Sequence, residues 1–146
     1  MINCFDGEFA FLSNFYPSLI FDGNIWFPTV EHYFQAAKTT NMEEYIAIAF
    51  IETPGKAKRF GKKVTLRPDW EEVKDQVMLD ALRKKFEIPA LREMLLATGD
   101  EELVEGNIWH DNTWGNCSCD SCKGIEGQNK LGKLLMQVRE EIKSSI

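Results

Sequence analysis

Residues 20–38, IFDGNIWFPTVEHYFQAAK, change their hydrophobic period halfway along. Up to Phe27 two short apolar runs flank Asp22, Gly23 and Asn24, the residue types that a tight hairpin turn needs. Beyond Pro28 the period lengthens, and Val30, Tyr33, Phe34 and Ala37 fall at helical spacing. Pro28 suits the first turn of that helix, where a missing N–H leaves no bond unmade. A hairpin that feeds its chain straight into a helix with an apolar face predicts strands and helices around shared cores.

Outward from this stretch the helical signals dominate. Asn41 followed by Glu44 is a helix-capping pattern ahead of YIAIAF. Thr53 and Pro54 open a short helix that Gly61 stops. Pro68 stands before the longest helix, with acids in its first turn and bases in its last, and a stripe of Trp70, Val73, Val77, Ala81, Leu82 and Phe86. Pro89 begins another helix, which ends near Gly99, and ELVEGNIW reads as a short strand. The last helix, NKLGKLLMQVREEI, is expected to bury Leu131, Leu134, Leu135, Val138 and Ile142. The expected class is α+β, a helix-rich single domain over residues 1–146 with a small β-sheet.

Composition narrows the functions. With 44% apolar and 27% charged residues the chain has an ordinary soluble balance and no apolar run of membrane-spanning length. The start, MINCFDGEFAFLSNF, lacks the basic residues of a secretory signal, so a cytoplasmic location is expected and the four cysteines are expected to be thiols or metal ligands rather than disulfides. A net charge of −6 argues against a broad electrostatic grip on nucleic acid, though not against a local basic site.

Three groups of residues could carry chemistry. Glu31, Gln35 and Lys38 stand at i, i+4 and i+7, one row on a helix. Such a row is commonly a solvated stripe, but this helix is rich in large apolar residues. It also follows an aromatic entry in which Asn14 sits among Leu12, Phe15 and Tyr16, where an amide requires hydrogen bonds. A carboxylate and an amine held together in a partly buried place suit acid–base or Schiff-base chemistry. The second group, Lys56, Lys58, Arg59, Lys62 and Lys63, is a cluster without an acid in an acidic chain, either a solvated face or a seat for phosphate. The third is residues 106–124, GNIWHDNTWGNCSCDSCKG. Trp109, at a strand end, is expected in the core, whereas Trp114 stands in a polar segment before Gly115, where a ring can stack on a base. Asp111 between them could stabilise a sugar cation.

The segments GEFAFLSNFYPS, FPTVEHYFQAAK, TPGKAKRFGKKVTLRPDWEEVKDQVM, LREMLLATGDEELVEGN, DNTWG and GQNKLGKLLMQVREE together resemble the NADAR, or YbiA-like, family in their order and cover nearly the whole chain. The resemblance implies an N-glycosidase. One branch of the family cleaves phosphoribosylamino-pyrimidine intermediates of riboflavin synthesis, and another removes ADP-ribose from guanine bases in nucleic acid. It implies catalytic roles for Glu31, Lys38 and Asp111, and substrate contacts from Asn14, Trp70, Trp114 and Gly115; the helix row adds Gln35 as a candidate contact, and the basic cluster adds Lys56 and Arg59 as candidates to hold phosphate. For Trp70 it replaces the core role that periodicity alone assigns. The partner expected is a small nucleotide-like substrate or ADP-ribosylated nucleic acid, with no membrane, and the sequence names no protein partner. The alternative is a binding module that holds NAD or ADP-ribose without cleaving it, which would not need Glu31, Lys38 and Asp111 together. No cofactor is expected to be required for catalysis.

The cysteines lie outside this resemblance. Cys117, Cys119 and Cys122 give the spacing C-x-C-x-x-C, three of the four ligands of a structural zinc site, with His110 the best local fourth and Cys4 the other candidate. The alternative is a set of reduced thiols in a surface loop. A zinc here is expected to pin the loop and not to take part in catalysis.

Overall fold

A computed structural model describes all 146 residues. The chain forms two compact units, Asn14–Ile88, and Met1–Ser13 with Pro89–Ile146.

In the Asn14–Ile88 unit, the hairpin forms as the turn residues dictate. Strand β1 (Ile20–Phe21) pairs antiparallel with β2 (Trp26–Phe27). The Asp22 carboxylate accepts from the backbone N–H groups of Asn24 and Ile25, both at 2.7 Å, and Gly23 takes φ +106°. The Tyr45 hydroxyl donates to the other Asp22 oxygen. Although desolvation pushes the Asp22 pKa up, these hydrogen bonds from Tyr45 and the two amides hold it below the usual carboxylate range.

Helix α1 (Val30–Ala36) begins two residues later than Pro28 suggests, because Thr29 caps it. The Thr29 hydroxyl accepts from the His32 N–H and donates to His32 Nδ1, whose ring Nε2–H reaches the Ile51 carbonyl at 3.0 Å. His32 is thereby a fully buried histidine with both nitrogens engaged, and burial lowers its pKa. The buried face also differs from the apolar stripe. Val30, Glu31, His32, Phe34, Gln35 and Ala36 are buried, while Tyr33 and Ala37 are only half-buried. The reason is that α1 is surrounded: it packs against helices α2 (Met42–Ala49), α3 (Pro54–Gly61) and α4 (Trp70–Lys85), so a single apolar stripe is not enough to cover it.

Caps set the other helix starts. Asn41 accepts from the Glu44 N–H to begin α2, and Thr53 accepts from the Lys56 N–H to begin α3. Glu44 does not return the favour to Asn41 as a capping box would. Its carboxylate takes the Thr39 hydroxyl and the Thr65 N–H instead, and this closes the chain after α3 onto the end of α1. In α4 the observed stripe is Trp70, Met78, Leu79, Ala81, Leu82 and Lys85, followed by buried Phe86, and the expected Val73 and Val77 are half-buried.

In the unit of Met1–Ser13 and Pro89–Ile146, a 3₁₀ helix (Gly7–Leu12) and helices α5 (Pro89–Ala97) and α6 (Lys130–Ser144) supply the apolar surface. Ile2 bridges Leu103 in parallel. The strand expected within ELVEGNIW is reduced to β3 (Gly106–Asn107), which pairs in parallel with β4 (Asn116–Cys117). Asn129 is buried in the left-handed conformation (φ 50°), which asparagine tolerates better than most residues. Its amide donates to the Leu103 carbonyl at 2.9 Å and accepts from the Glu105 N–H at 3.0 Å, stitching the start of α6 to residues 103–105. Along α6, Leu131, Leu135 and Val138 are buried as expected, whereas Leu134 and Ile142 are half-buried and Arg139 is buried, donating to the Thr98 hydroxyl.

Two substitutions test this packing. A Cβ at Gly61 would lie 1.9 Å from Gln35 Oε1. In an open helix Gly→Ala stabilises, but here Gly61→Ala is expected to destabilise by about 1–3 kcal/mol in urea melts, with recovery when Gln35→Ala is added. Lys85 is fully buried, with Nζ 5.9 Å from the Tyr16 ring centre and 5.2 Å from that of Phe86, and burial lowers its pKa from 10.5 to about 7. The unfolded chain therefore holds this proton more tightly than the folded one. Stability that is present above pH 10.5 is lost progressively as the pH falls to about 7. Lys85→Met is expected to stabilise the protein more at pH 7 than at pH 10, and a stability difference independent of pH would contradict this.

Candidate active site

The polar row of α1 is not a solvated stripe. Glu31 is 8% exposed and Gln35 3%, and Lys38, just beyond the helix end, is half-buried. The Gln35 amide nitrogen donates to Glu31 Oε2, a one-turn contact that fixes the carboxylate. The other end of the same amide, Oε1, has no hydrogen-bond partner and faces Gly61, so the absence of a side chain there makes room for it. Gln35 thus stands behind Glu31, between it and α3.

Asn14 meets Glu31 from the entry segment. Its carbonyl accepts the Glu31 N–H at 3.1 Å, and its side-chain nitrogen lies 3.6 Å from the Met78 sulfur. Asn14 Oδ1 is buried without a hydrogen-bond partner. A buried acceptor left unmade costs about 1–3 kcal/mol, so its presence asks for a reason.

Lys38 sits in an aromatic corner. Its Nζ is 6.0 Å from the ring centres of both Phe34 and Trp70, which themselves meet edge to face at 5.0 Å. Burial lowers the Lys38 pKa, the Glu31 charge opposes that, and the charges of Lys58 and Lys62 lower it further. Backbone hydrogen bonds fix the base of the side chain, because Arg67 N–H donates to the Lys38 carbonyl at 2.8 Å and the next residue, Thr39, bridges Leu66. The Asn14–Ile88 unit therefore brings Asn14, Glu31, Gln35, Lys38 and Trp70 into one neighbourhood.

The basic cluster divides. Lys58 and Lys62 act on Lys38 electrostatically, whereas the exposed Lys56 pairs with Glu52 at 2.8 Å and Arg59 and Lys63 are exposed. The N–H of Lys56 at the start of α3 is taken by the Thr53 hydroxyl.

In the other unit, residues 105–117 are held by side chains acting on backbone. Asn107, which no motif in its sequence context marks, is the hub. Its oxygen accepts from the N–H groups of Trp109 and Asp111, both at 3.2 Å, and its nitrogen donates to the Asp111 carbonyl at 2.8 Å and to Glu105 Oε2 at 3.0 Å. Asp111 Oδ1 accepts from the N–H groups of Thr113 and Trp114, so this carboxylate organises the turn that presents the tryptophan. Trp114 is half-buried with Lys130 Nζ 5.7 Å from its ring centre. Gly115 cannot be replaced, since a Cβ would come within 1.8 Å of Glu105 Oε2 and 2.3 Å of the Glu105 carbonyl. Trp109 corrects the expectation of a core residue. It is 58% exposed, because the Asn107 hub turns the chain outward where a longer strand would have continued inward.

The cysteine cluster gathers as its spacing suggests. The ligand atoms of His110, Cys117, Cys119 and Cys122 all lie within 4.8 Å of one another and could hold a metal ion, while Cys4 is an exposed thiol outside this group.

Lys85 and Gly61 each carry a signal in the sequence. Lys85 falls at i+7 from Met78 and i+4 from Ala81, the periodicity of the buried stripe. Gly61 marks a helix stop in the local pattern, but a small residue four positions beyond Ala57 also marks a close helix crossing.

Comparison with known proteins agrees with the segment pattern. A family model described as NADAR domain matches residues 4–143. An N-glycosidase of Nostoc punctiforme is 45% identical over 138 residues, covering 90% of this chain and 85% of that protein. The N-glycosidase YbiA of Shigella flexneri is 46% identical over 124 residues, 83% of this chain and 73% of that protein. A riboflavin biosynthesis protein of Vibrio vulnificus is 38% identical over 141 residues, 94% of this chain and 36% of that longer protein. The NMR structure of the E. coli protein YbiA matches with a TM-score of 0.83 at 38% identity, covering 99% of this chain and 86% of that one. The helix-rich α+β architecture is thus shared with a solved relative, and the chain belongs to the NADAR family.

Proposed function

We propose that this protein is a cytoplasmic N-glycosidase that hydrolyses a ribosyl C1′–N bond, with Lys38 as nucleophile and Glu31 as its proton-transfer partner. The observation that carries the reading is the setting of Lys38. A lysine becomes a nucleophile near neutral pH when it is desolvated or placed beside other cations, and both conditions act on this amine. Relatives named as N-glycosidases and riboflavin biosynthesis proteins support the reaction class.

The chemistry follows from the groups present. In a ribosylamine the nitrogen lone pair can expel the ring oxygen O4′, which takes up a proton, and leave an open-chain imine at C1′. The neutral Lys38 Nζ adds to C1′. The base nitrogen then receives a proton and departs as the free amine, leaving a lysine Schiff base. Water adds at C1′ and loses a proton, the C1′–Nζ bond breaks with protonation of the amine, and the released aldehyde recloses as ribose. Glu31 is within one helical turn of Gln35 and is held by it, so its carboxylate has a fixed orientation for these proton transfers. Asn14 Oδ1 offers an unfilled acceptor for a substrate N–H or O–H. Trp70 walls the amine, and Lys58 and Lys62 extend the positive field that a phosphate on the sugar would meet.

Asp111, Trp114 and Gly115 enter the proposal from the sequence pattern. Trp114 supplies a ring for stacking and Asp111 a carboxylate that also sets the turn beneath that ring. The substrate is a phosphoribosylamino-pyrimidine or an ADP-ribosylated guanine base, and no cofactor is assigned a step.

Borohydride reduction during turnover of either substrate is expected to trap a sugar adduct on Lys38, seen by peptide mass spectrometry. Absence of the adduct from the active protein, or an equal adduct on Lys38→Ala, would remove Lys38 as nucleophile. Glu31→Gln is expected to lower kcat by about 10²–10⁴-fold. Turnover of neither substrate would favour a module that binds ADP-ribose without cleaving it. Because the unprotonated amine attacks, kcat should rise with pH through a limb below the ordinary lysine range. Lys58→Gln with Lys62→Gln should move that limb to higher pH, as removing two cations raises the Lys38 pKa, and an unmoved limb would contradict the electrostatic assignment.

A further inference from the structure

We infer that His110, Cys117, Cys119 and Cys122 form a structural Zn²⁺ site through one imidazole nitrogen and three thiolates. Zinc bound tetrahedrally has Zn–S of about 2.3 Å and Zn–N of about 2.0–2.1 Å, which makes the S···N edge of the tetrahedron about 3.6 Å and the S···S edge about 3.8 Å. The His110 Nδ1 lies 3.2 Å from Cys119 Sγ and 3.6 Å from Cys122 Sγ, and all four ligand atoms fall within 4.8 Å of one another. The cluster already has nearly the size of a zinc coordination shell.

The backbone is arranged for the same purpose. The N–H groups of His110 and Cys119 both point to Cys117 Sγ, at 3.3 and 3.5 Å. A neutral thiol is a weak acceptor, and two amide donors converging on one sulfur suit a metal-bound thiolate, whose charge they would share. His110 takes a left-handed backbone conformation, φ 69°, uncommon for a non-glycine residue. That conformation turns its N–H to one sulfur and its ring to two others. Cys117 is anchored in β4 with its N–H on Asn112 Oδ1, and Cys122 closes a 3₁₀ turn whose N–H returns to the Cys119 carbonyl. Three cysteines and a histidine complete four-coordination and leave no position for water or substrate, which marks the site as structural. The soft donor set favours zinc over calcium or magnesium.

The metal would fasten residues 110–122. His110 is bonded to Asp111, and Asp111 caps the turn of Trp114, so the clasp fixes the start of that turn while Asn112 and Asn116 fix its return. That fastening Trp114 matters for catalysis rests on the N-glycosidase reading; the metal itself does not.

Untagged protein, produced with zinc in the medium and purified under reducing conditions without added metal, should carry about one equivalent of zinc by mass spectrometry. Cys119→Ser and His110→Ala should each lower that occupancy. Reconstitution of chelator-stripped wild-type protein with Co²⁺ should give thiolate-to-cobalt charge transfer and the intense visible bands of a tetrahedral ion, and does not depend on the variants folding. Hydrogen exchange at residues 107–128 should speed up when zinc is removed. Four titratable thiols with neither zinc nor a cobalt spectrum would overturn the inference, as would a disulfide within the cluster in reduced preparations. Full zinc occupancy in a protein inactive on both substrates would overturn only the enzyme reading, and an active protein that carries no zinc as purified and gives no cobalt spectrum would overturn only the site.

Discussion

A carboxylate buried on a short helix is the constraint around which the Asn14–Ile88 unit is built. Glu31 gives up most of its water, and a charge so placed persists only when neighbours replace that water. The Gln35 amide does part of this, and it can do so only because α3 passes with a glycine at the crossing. The hairpin matters for the same reason. It delivers Thr29 as a cap and brings the Asn14 segment alongside, so that the Glu31 N–H finds a carbonyl. About two turns further on, the chain has left the helix and Lys38 lies under aromatic cover. Carboxylate and amine are thus produced by one helix, in different environments, at the two ends of a row.

The second unit solves a different problem with different means. Its strands are two residues long, too short for a ladder to hold a loop in place. Side chains of Asn107, Asp111, Asn112, Asn116 and Asn129 bond to backbone groups instead, which explains why so polar a segment is nevertheless ordered around a half-buried tryptophan. Small polar residues act here as the framework that a sheet would provide elsewhere.

How much of this could be read beforehand depended on the range of the interaction. The hairpin, the caps at Asn41 and Thr53 and the helix starting at Pro89 are written in neighbouring residues, and they stand where local chemistry puts them. The row of Glu31, Gln35 and Lys38 was legible as a row, but its burial depends on three helices that arrive later in the chain. Pro28 misled by two residues because Thr29, a better cap, follows it. Trp109 misled because exposure was decided by Asn107 and not by its own hydrophobicity. Lys85 was hidden by its charge, since a lysine in the last turn of a helix ordinarily faces water. The cysteine spacing gives three ligands and nearness in the chain already favours His110 over Cys4, whereas the left-handed turn that carries its ring to the sulfurs belongs to the fold.

The bridge between Ile2 and Leu103 has a consequence in time. The residues from Asn14 to Ile88 are consecutive, so their unit has all its own contacts once that segment has left the ribosome. Ile2 is made before that segment, but its partner follows some hundred residues later, and Asn129, which stitches Leu103 to α6, later still. At about 5–20 residues per second, Ile2 waits roughly 5–20 s for its partner. The unit that carries the thiol cluster is accordingly the last to close, and its first segment and its last are completed together.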